Sequence, residues 1–392
     1  MNNQRSSPIT IYRLLFPTLG LLAVIVTACA PAADPASPTP DLSAALTQAM
    51  QTAQAALVTP SPTSTETPLP TATLPPRTPP ALPAAFQTGE LNPLDAPQSY
   101  IPDTCQYLRD KWTSTNAAPG TVVMTVMFHS ITKGNLTTDN QISADDQRRL
   151  LNDLHDQGFE AITMTQMADF LERNAYIPPR SALLIVDDRH YAEYFDTHFR
   201  PFYEQWKWPV VNAYIAKDER PDLWAENAAL AAEGWVDYQA HGVIHNINMN
   251  DNSSDDYLTG ELQGAIENFQ KYLNKTPIAV IWPGGDFGAR TVQFARKFGY
   301  RLGFTVNPRG PVMFNWVPQA GESDPRRPSY LPEGPAGDPL MTLPRYWDTD
   351  ARQHIDVVRR IGKEAAAYAE QNKAVELDYY DILCAPTYGP IP

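Results

Sequence analysis

Two consecutive carboxylates, Asp187 and Asp188, end the apolar run Leu183-Leu184-Ile185-Val186. A run so apolar reads as a buried strand, and charges at its exit need a cation or a basic side chain to offset their desolvation. His241 and His245 lie four apart in His241-Gly242-Val243-Ile244-His245. That spacing places both imidazoles on one face of a helical turn, within reach of a single metal ion. Two histidines and one carboxylate supply three ligands and leave a position for water, the layout of a catalytic rather than a structural zinc site. A third segment, Ile281-Trp282-Pro283-Gly284-Gly285, ends in glycines that permit close backbone approach.

These residues need a scaffold that gathers strand ends. Short apolar runs at residues 122–128, 182–186, 210–215, 236–239, 278–282 and 302–305 read as strands, with a further one at 159–163. Helical patterns separate them: a stretch capped by Ser143 with Leu150, Leu151 and Leu154 on its inner face, then 165–173, 191–206, 222–233, 254–273 and 290–298. A closing helix is predicted over 350–372. Repeated βα units imply a parallel sheet, open or closed into a barrel, with chemistry at the carboxyl ends of the strands. Because neighbours on a strand point to opposite faces, Asp187 and Asp188 are not expected to flank a sugar linkage as a glycosidase pair.

The 392-residue chain contains 38 Pro, and 15 of them fall within residues 30–98, which hold only six charged residues. Such a segment cannot bury enough apolar surface to offset the entropy of ordering it. Residues 29–98 therefore read as a disordered spacer rich in Pro, Ala and Thr, with one marginal helix over 41–58 capped by Asp41. Residues 99–392 suit one large domain, taken as a monomer. A formal charge of −14 argues against a broad basic footprint for nucleic acid and against a polybasic grip on anionic lipid. Three Cys exclude a disulfide-rich scaffold, although Cys105 and Cys384, near opposite ends of the folded part, can join in an oxidising compartment.

Arg5 and Arg13 precede an apolar run at 14–28 that is too short for an ordinary membrane span. It closes with Val26-Thr27-Ala28-Cys29, which resembles the lipobox of bacterial lipoproteins. That resemblance implies a signal peptide over 1–28, cleavage before Cys29, a lipid on its sulfur and an extracytoplasmic protein held on the bacterial membrane.

The chemical segments, taken in order, resemble the polysaccharide deacetylases of the NodB-homology family, carbohydrate esterase family four. Ile185-Val186-Asp187-Asp188-Arg189 is similar to its first motif, His241-Gly242-Val243-Ile244-His245 to its second, and Val280-Ile281-Trp282-Pro283-Gly284-Gly285 to its third. Val126-Met127-Phe128-His129-Ser130-Ile131 resembles the opening of the poly-N-acetylglucosamine deacetylase subgroup, and Leu343-Pro344-Arg345 a motif near the end of many members. The resemblance implies a distorted (β/α)7 barrel and a hydrolase that removes N-acetyl groups from an extracellular or cell-wall polysaccharide, acting on carbon–nitrogen bonds other than peptide bonds. It assigns Asp188, His241 and His245 to a divalent metal, usually Zn2+, and Asp187 to the general base. His129 stands in for the acid that many members place near the carboxyl terminus. Trp282, Pro283 and Arg345 are the candidates for binding or orienting substrate and base.

Three departures bear on this. Arg189 occupies a Gly position and is expected to crowd the cation or pair with a carboxylate. Gly242 replaces a Ser or Thr, so the loop is expected to lose an anchor. Ile281 stands where some members carry an Arg, a charge that Arg345 can supply. The alternative function is a catalytically impaired, glycan-binding lipoprotein. Residues 308–344, rich in Pro and Gly, read as a binding loop or lid whose Phe314, Trp316 and Tyr330 could stack on sugar rings.

Overall fold

In the computed structural model, residues 42–56 and 77–392, apart from residue 246, are described. The chain divides into two units, 1–74 and 75–392. In the first, Leu42–Ala56 is helical, near the predicted span; Asp41 and Cys29 lie outside the described residues, and so does the signal peptide.

The second unit is built on a parallel sheet of eight strands: β1 (Val122–Phe128), β2 (Glu160–Ala161), β3 (Arg180–Asp187), β4 (Val210–Tyr214), β5 (Val236–Ala240), β6 (Ala279–Ile281), β7 (Leu302–Phe304) and β8 (Tyr346–Trp347). Their order is β7-β6-β5-β4-β3-β1-β8, with β2 beside β3. The segment that leads into β8 also reaches the far edge. Leu343 N–H donates to Gly303 at 2.8 Å and Leu343 O accepts from Thr305 at 2.9 Å, while Tyr346 pairs with Val126. The sheet thus curls into the distorted barrel predicted from the sequence.

Alternation along the strands divides the core. Leu183 and Ile185 join Val123, Val211, Ile281, Phe304 and Leu343 in one cluster. Ala182, Leu184 and Val186 join the cluster that includes residues of the surrounding helices, such as Leu150, Leu154 and Leu262. Asp187 continues the series from Leu183 and Ile185, and Arg345 the series from Leu343, so each follows the first cluster toward one end of the barrel.

Two expectations need correction. Residues 77–98 are not all spacer: Asp95–Gln98 pairs antiparallel with Val317–Ala320, and Phe86 packs on Trp316 and Tyr368 at centroid distances of 6.0 and 5.7 Å. Asp95 is buried between Arg309 and Arg327. These ion pairs and aromatic contacts order a stretch whose composition alone argues against order. The first part of the 308–344 segment is likewise packed rather than free to cover a site. Arg309 is buried and held by Glu333 and Asp95, Trp316 is buried, and Phe314 stacks on Tyr107 at 5.9 Å. Cys105 and Cys384 form a disulfide across 279 residues of chain, beside the long helix Asp348–Tyr379 and the turn Tyr380–Cys384 that follows it.

Candidate metal centre and its surroundings

Asp187 is the last residue of β3 and is 1% exposed. Arg345, wholly buried, donates from Nη1 to Asp187 Oδ1 at 2.6 Å and from Nε to the Thr305 carbonyl at 2.7 Å. Burial alone would raise the Asp187 carboxyl, but the charges of Arg345, His241 and His129, with the Arg345 hydrogen bond, outweigh it and bring it down to about 2. The carboxylate is therefore ionised across the neutral range. Its other oxygen, Oδ2, lies 3.6 Å from His129 Nε2. His129 leaves the end of β1 with its ring stacked on Trp347, centroids 5.5 Å apart and planes 11° apart, and its carbonyl accepts from the Tyr194 hydroxyl at 3.2 Å. His190 Nε2 donates to the Asp187 carbonyl at 3.0 Å; burial lowers its basicity, so it serves as a neutral donor.

Asp188 has φ of 76°, in the left-handed region that non-glycine residues seldom adopt. This breaks the strand alternation at the point where opposite faces were expected. The Asp188 carboxylate instead turns toward both histidines, with Oδ1 3.8 Å from His241 Nε2 and 3.7 Å from His245 Nε2.

The histidines do not share a helical turn. His241 follows β5, and the loop after it carries φ of 72° at Gly242 and 64° at His245. Convergence comes from these left-handed residues: the two Nε2 atoms stand 2.8 Å apart. His241 Nδ1–H donates to the Ile281 carbonyl at 2.8 Å, which fixes the tautomer and leaves Nε2 as a lone-pair donor. Burial brings His241 down to about 4, so it is neutral at neutral pH.

The donor set fits a divalent cation. One ligand atom from each of Asp188, His241 and His245 lies within 4.8 Å of the others. The three separations bracket the roughly 3.3 Å expected between ligands about 2.0 Å from a tetrahedral zinc. Two facing imidazole nitrogens and a carboxylate oxygen suit zinc or a similar ion.

The departures noted in the sequence resolve as follows. Arg189 does not crowd the cation pocket; it bonds Glu219 Oε1 at 2.9 Å and the Glu219 carbonyl at 3.2 Å, with its guanidinium over the Tyr214 ring. Arg345 supplies the charge beside Asp187 that Ile281 cannot. The missing hydroxyl at position 242 is matched by a residue that sequence reasoning missed. Glu261, 1% exposed on the helix Asp255–Leu273, accepts from the backbone N–H groups of Val243 and Ile244 at 2.9 Å and of His245 at 3.4 Å. The available signal was a carboxylate on the apolar stripe Leu258, Leu262, Ala265 and Phe269.

Trp282 and Pro283 are buried, and the Trp282 indole donates to the Met341 carbonyl at 2.8 Å. They offer no exposed face for a sugar to stack on. Asp348 was also missed. It is 3% exposed at the start of the final helix, its Oδ2 lacks a hydrogen-bond partner, and burial, aided by the charge of Asp187, pushes it up to about 7.

A curled parallel sheet with an Asp–His–His cluster at its strand ends defines a class of α/β domain whose site could hold a divalent cation. Comparison with known proteins bears on that class: residues 177–303 match the family model described as polysaccharide deacetylase. YxkH of Bacillus subtilis (strain 168), which bears a polysaccharide deacetylase name, is 20% identical over 185 residues, or 47% of this chain; the chain spans 64% of that relative's length. Among solved structures, the Streptococcus pyogenes deacetylase PplD in complex with acetate has a TM-score of 0.48 at 18% identity, covering 61% of this chain and 98% of that one. IcaB from Ammonifex degensii has a TM-score of 0.46 at 14% identity, covering 61% and 97%.

Proposed function

We propose that this protein is a metal-dependent hydrolase that removes N-acetyl groups from an extracellular or cell-wall polysaccharide, and that a lipid on Cys29 holds it at the bacterial membrane, outside the cytoplasm. The observation that carries the reading is the meeting of Asp188, His241 and His245 beside the Arg345-bound Asp187.

Asp188, His241 and His245 would hold the cation, Zn2+ being the best match to the donors. When bound, such an ion lowers the pKa of its water and polarises the acetamide carbonyl. Asp187 has one oxygen engaged by Arg345, so Oδ2 is the atom that takes the proton of the attacking water. Arg345 keeps that carboxylate ionised and fixed. His129 Nε2, beside Oδ2 but beyond hydrogen-bond range, is placed to protonate the leaving amine. A glycosidase reading is one carboxylate short, since Asp188 faces the two histidines and leaves Asp187 without a second acid across a bond.

The test is acetate release from an N-acetylglucosamine oligomer by zinc-loaded protein. Asp187→Asn is expected to abolish release while zinc binding persists. New reducing ends without acetate would overturn the proposal. Mass spectrometry of the membrane-extracted protein checks the anchor: a diacylglyceryl amino-terminal Cys29 is expected, and an unmodified mature terminus would contradict it.

A further inference from the structure

The loop from His241 to His245 carries two of the three candidate ligands but has no regular secondary structure to hold it. Three successive N–H groups, of Val243, Ile244 and His245, converge instead on one buried carboxylate, that of Glu261. Successive N–H groups arranged in this way form an anion-binding concavity. Among the described residues Glu261 makes no salt bridge, so its charge is offset by these N–H dipoles. Burying a carboxylate is costly unless hydrogen bonds such as these compensate it, so the loop and the acid stabilise one another.

Gly242 completes the arrangement. Its φ of 72° lies in the left-handed region, and a Cβ there would overlap Glu261 Oε2 and come within 3.3 Å of Pro283 Cγ. A side chain at 242 and a carboxylate at 261 therefore exclude one another.

We propose that Glu261 is a positioning residue for the metal centre: by gathering the three N–H groups it sets the backbone that aims His245 at His241, and Gly242 is the vacancy that admits it. This rests on the cation site proposed above and extends it to a residue outside the ligand set. Loss of an orienting partner one shell removed from a metal typically costs 10–100-fold in affinity.

The experiment measures zinc affinity by chelator competition, well below the melting temperature, for the wild type, Glu261→Gln, Glu261→Ala, Gly242→Ala and the double variant Gly242→Ala/Glu261→Ala. The expectation is a 10–100-fold weaker zinc Kd for each single variant. The double variant should lose less than the product of the single losses, because removing the carboxylate relieves the clash. Amide hydrogen exchange at residues 243–245 should accelerate in Glu261→Gln even without zinc. Unchanged affinity and unchanged exchange in Glu261→Gln would overturn the proposal, as would strictly multiplicative losses in the double variant. If the wild type binds no zinc, the cation reading fails by itself, and the exchange measurement still decides whether Glu261 holds the loop.

Discussion

Arg345 and Asp187 meet end to end inside the barrel, Nη1 2.6 Å from Oδ1, with Arg345 fully buried and Asp187 nearly so. They come from opposite sides of the ring's closure: Asp187 ends β3, while Arg345 lies in the segment that joins β7 to β1. The segment that closes the barrel thus also supplies the guanidinium that keeps the candidate base charged.

Removing Arg345 should be severe. Arg345→Met leaves a buried carboxylate without its counter-charge, an effect of about 3–5 kcal/mol in comparable cases. Asp187, held at about 2 against an ordinary 3.8, contributes stability that is present above about pH 4 and lost as pH falls toward 2. The variant should show a lower melting temperature at pH 7 and a smaller further loss on acidification, both measurable by calorimetry. An unchanged melting temperature at pH 7 would contradict this.

His129 tests the proton donor. His129→Gln keeps the size and polarity but cannot deliver a proton, and should lower kcat for acetate release by roughly 10²–10⁴ while KM changes little. A profile in which KM rises and kcat holds would make His129 a substrate contact instead.

Asp348 gives a pH signature of opposite sign. Its folded value, about 7, lies above the unfolded one, so the protein loses stability from this group as pH rises from about 4 to 7. Asp348→Asn should therefore stabilise at pH 8, by an amount on the order of 2 kcal/mol or more, and have little effect at pH 4. Urea titrations at the two pH values read this directly, and equal effects at both would rule it out.

The central strands β1 and β3 were legible as long apolar runs, whereas the two-residue β8 was too short to read, and the carboxylates at the end of β3 stood out as charge at a buried strand's exit. The two histidines do converge, as expected, but not by the geometry expected. A spacing of four suggests a helical turn, whereas the loop turns on positive φ at Gly242 and His245. The residue that makes such a loop affordable, Glu261, lies on a distant helix where sequence shows only an acid in an apolar stripe. The order in residues 77–98 was hidden for a similar reason: Asp95 is paid for by Arg309 and Arg327, which only the fold brings to it. Asp348 carried no signal, since an acid in the first turn of a helix is ordinary.

The disulfide between Cys105 and Cys384 ties the start of the barrel domain to its end. Restricting so long a loop in the unfolded chain is worth about 2–5 kcal/mol. Cys105→Ser/Cys384→Ser should lower the melting temperature and make it independent of reductant, whereas the wild type should fall toward the variant when reduced. Equal melting temperatures with and without reductant would show that the bond contributes nothing.

The central claim is most directly tested by anomalous diffraction at the zinc edge from crystals grown with zinc. The account predicts one strong peak about 2.0–2.2 Å from a carboxylate oxygen of Asp188 and from Nε2 of both His241 and His245, with Asp187 outside that distance. A peak held by other residues, or none at this cluster with zinc present in excess, would contradict it.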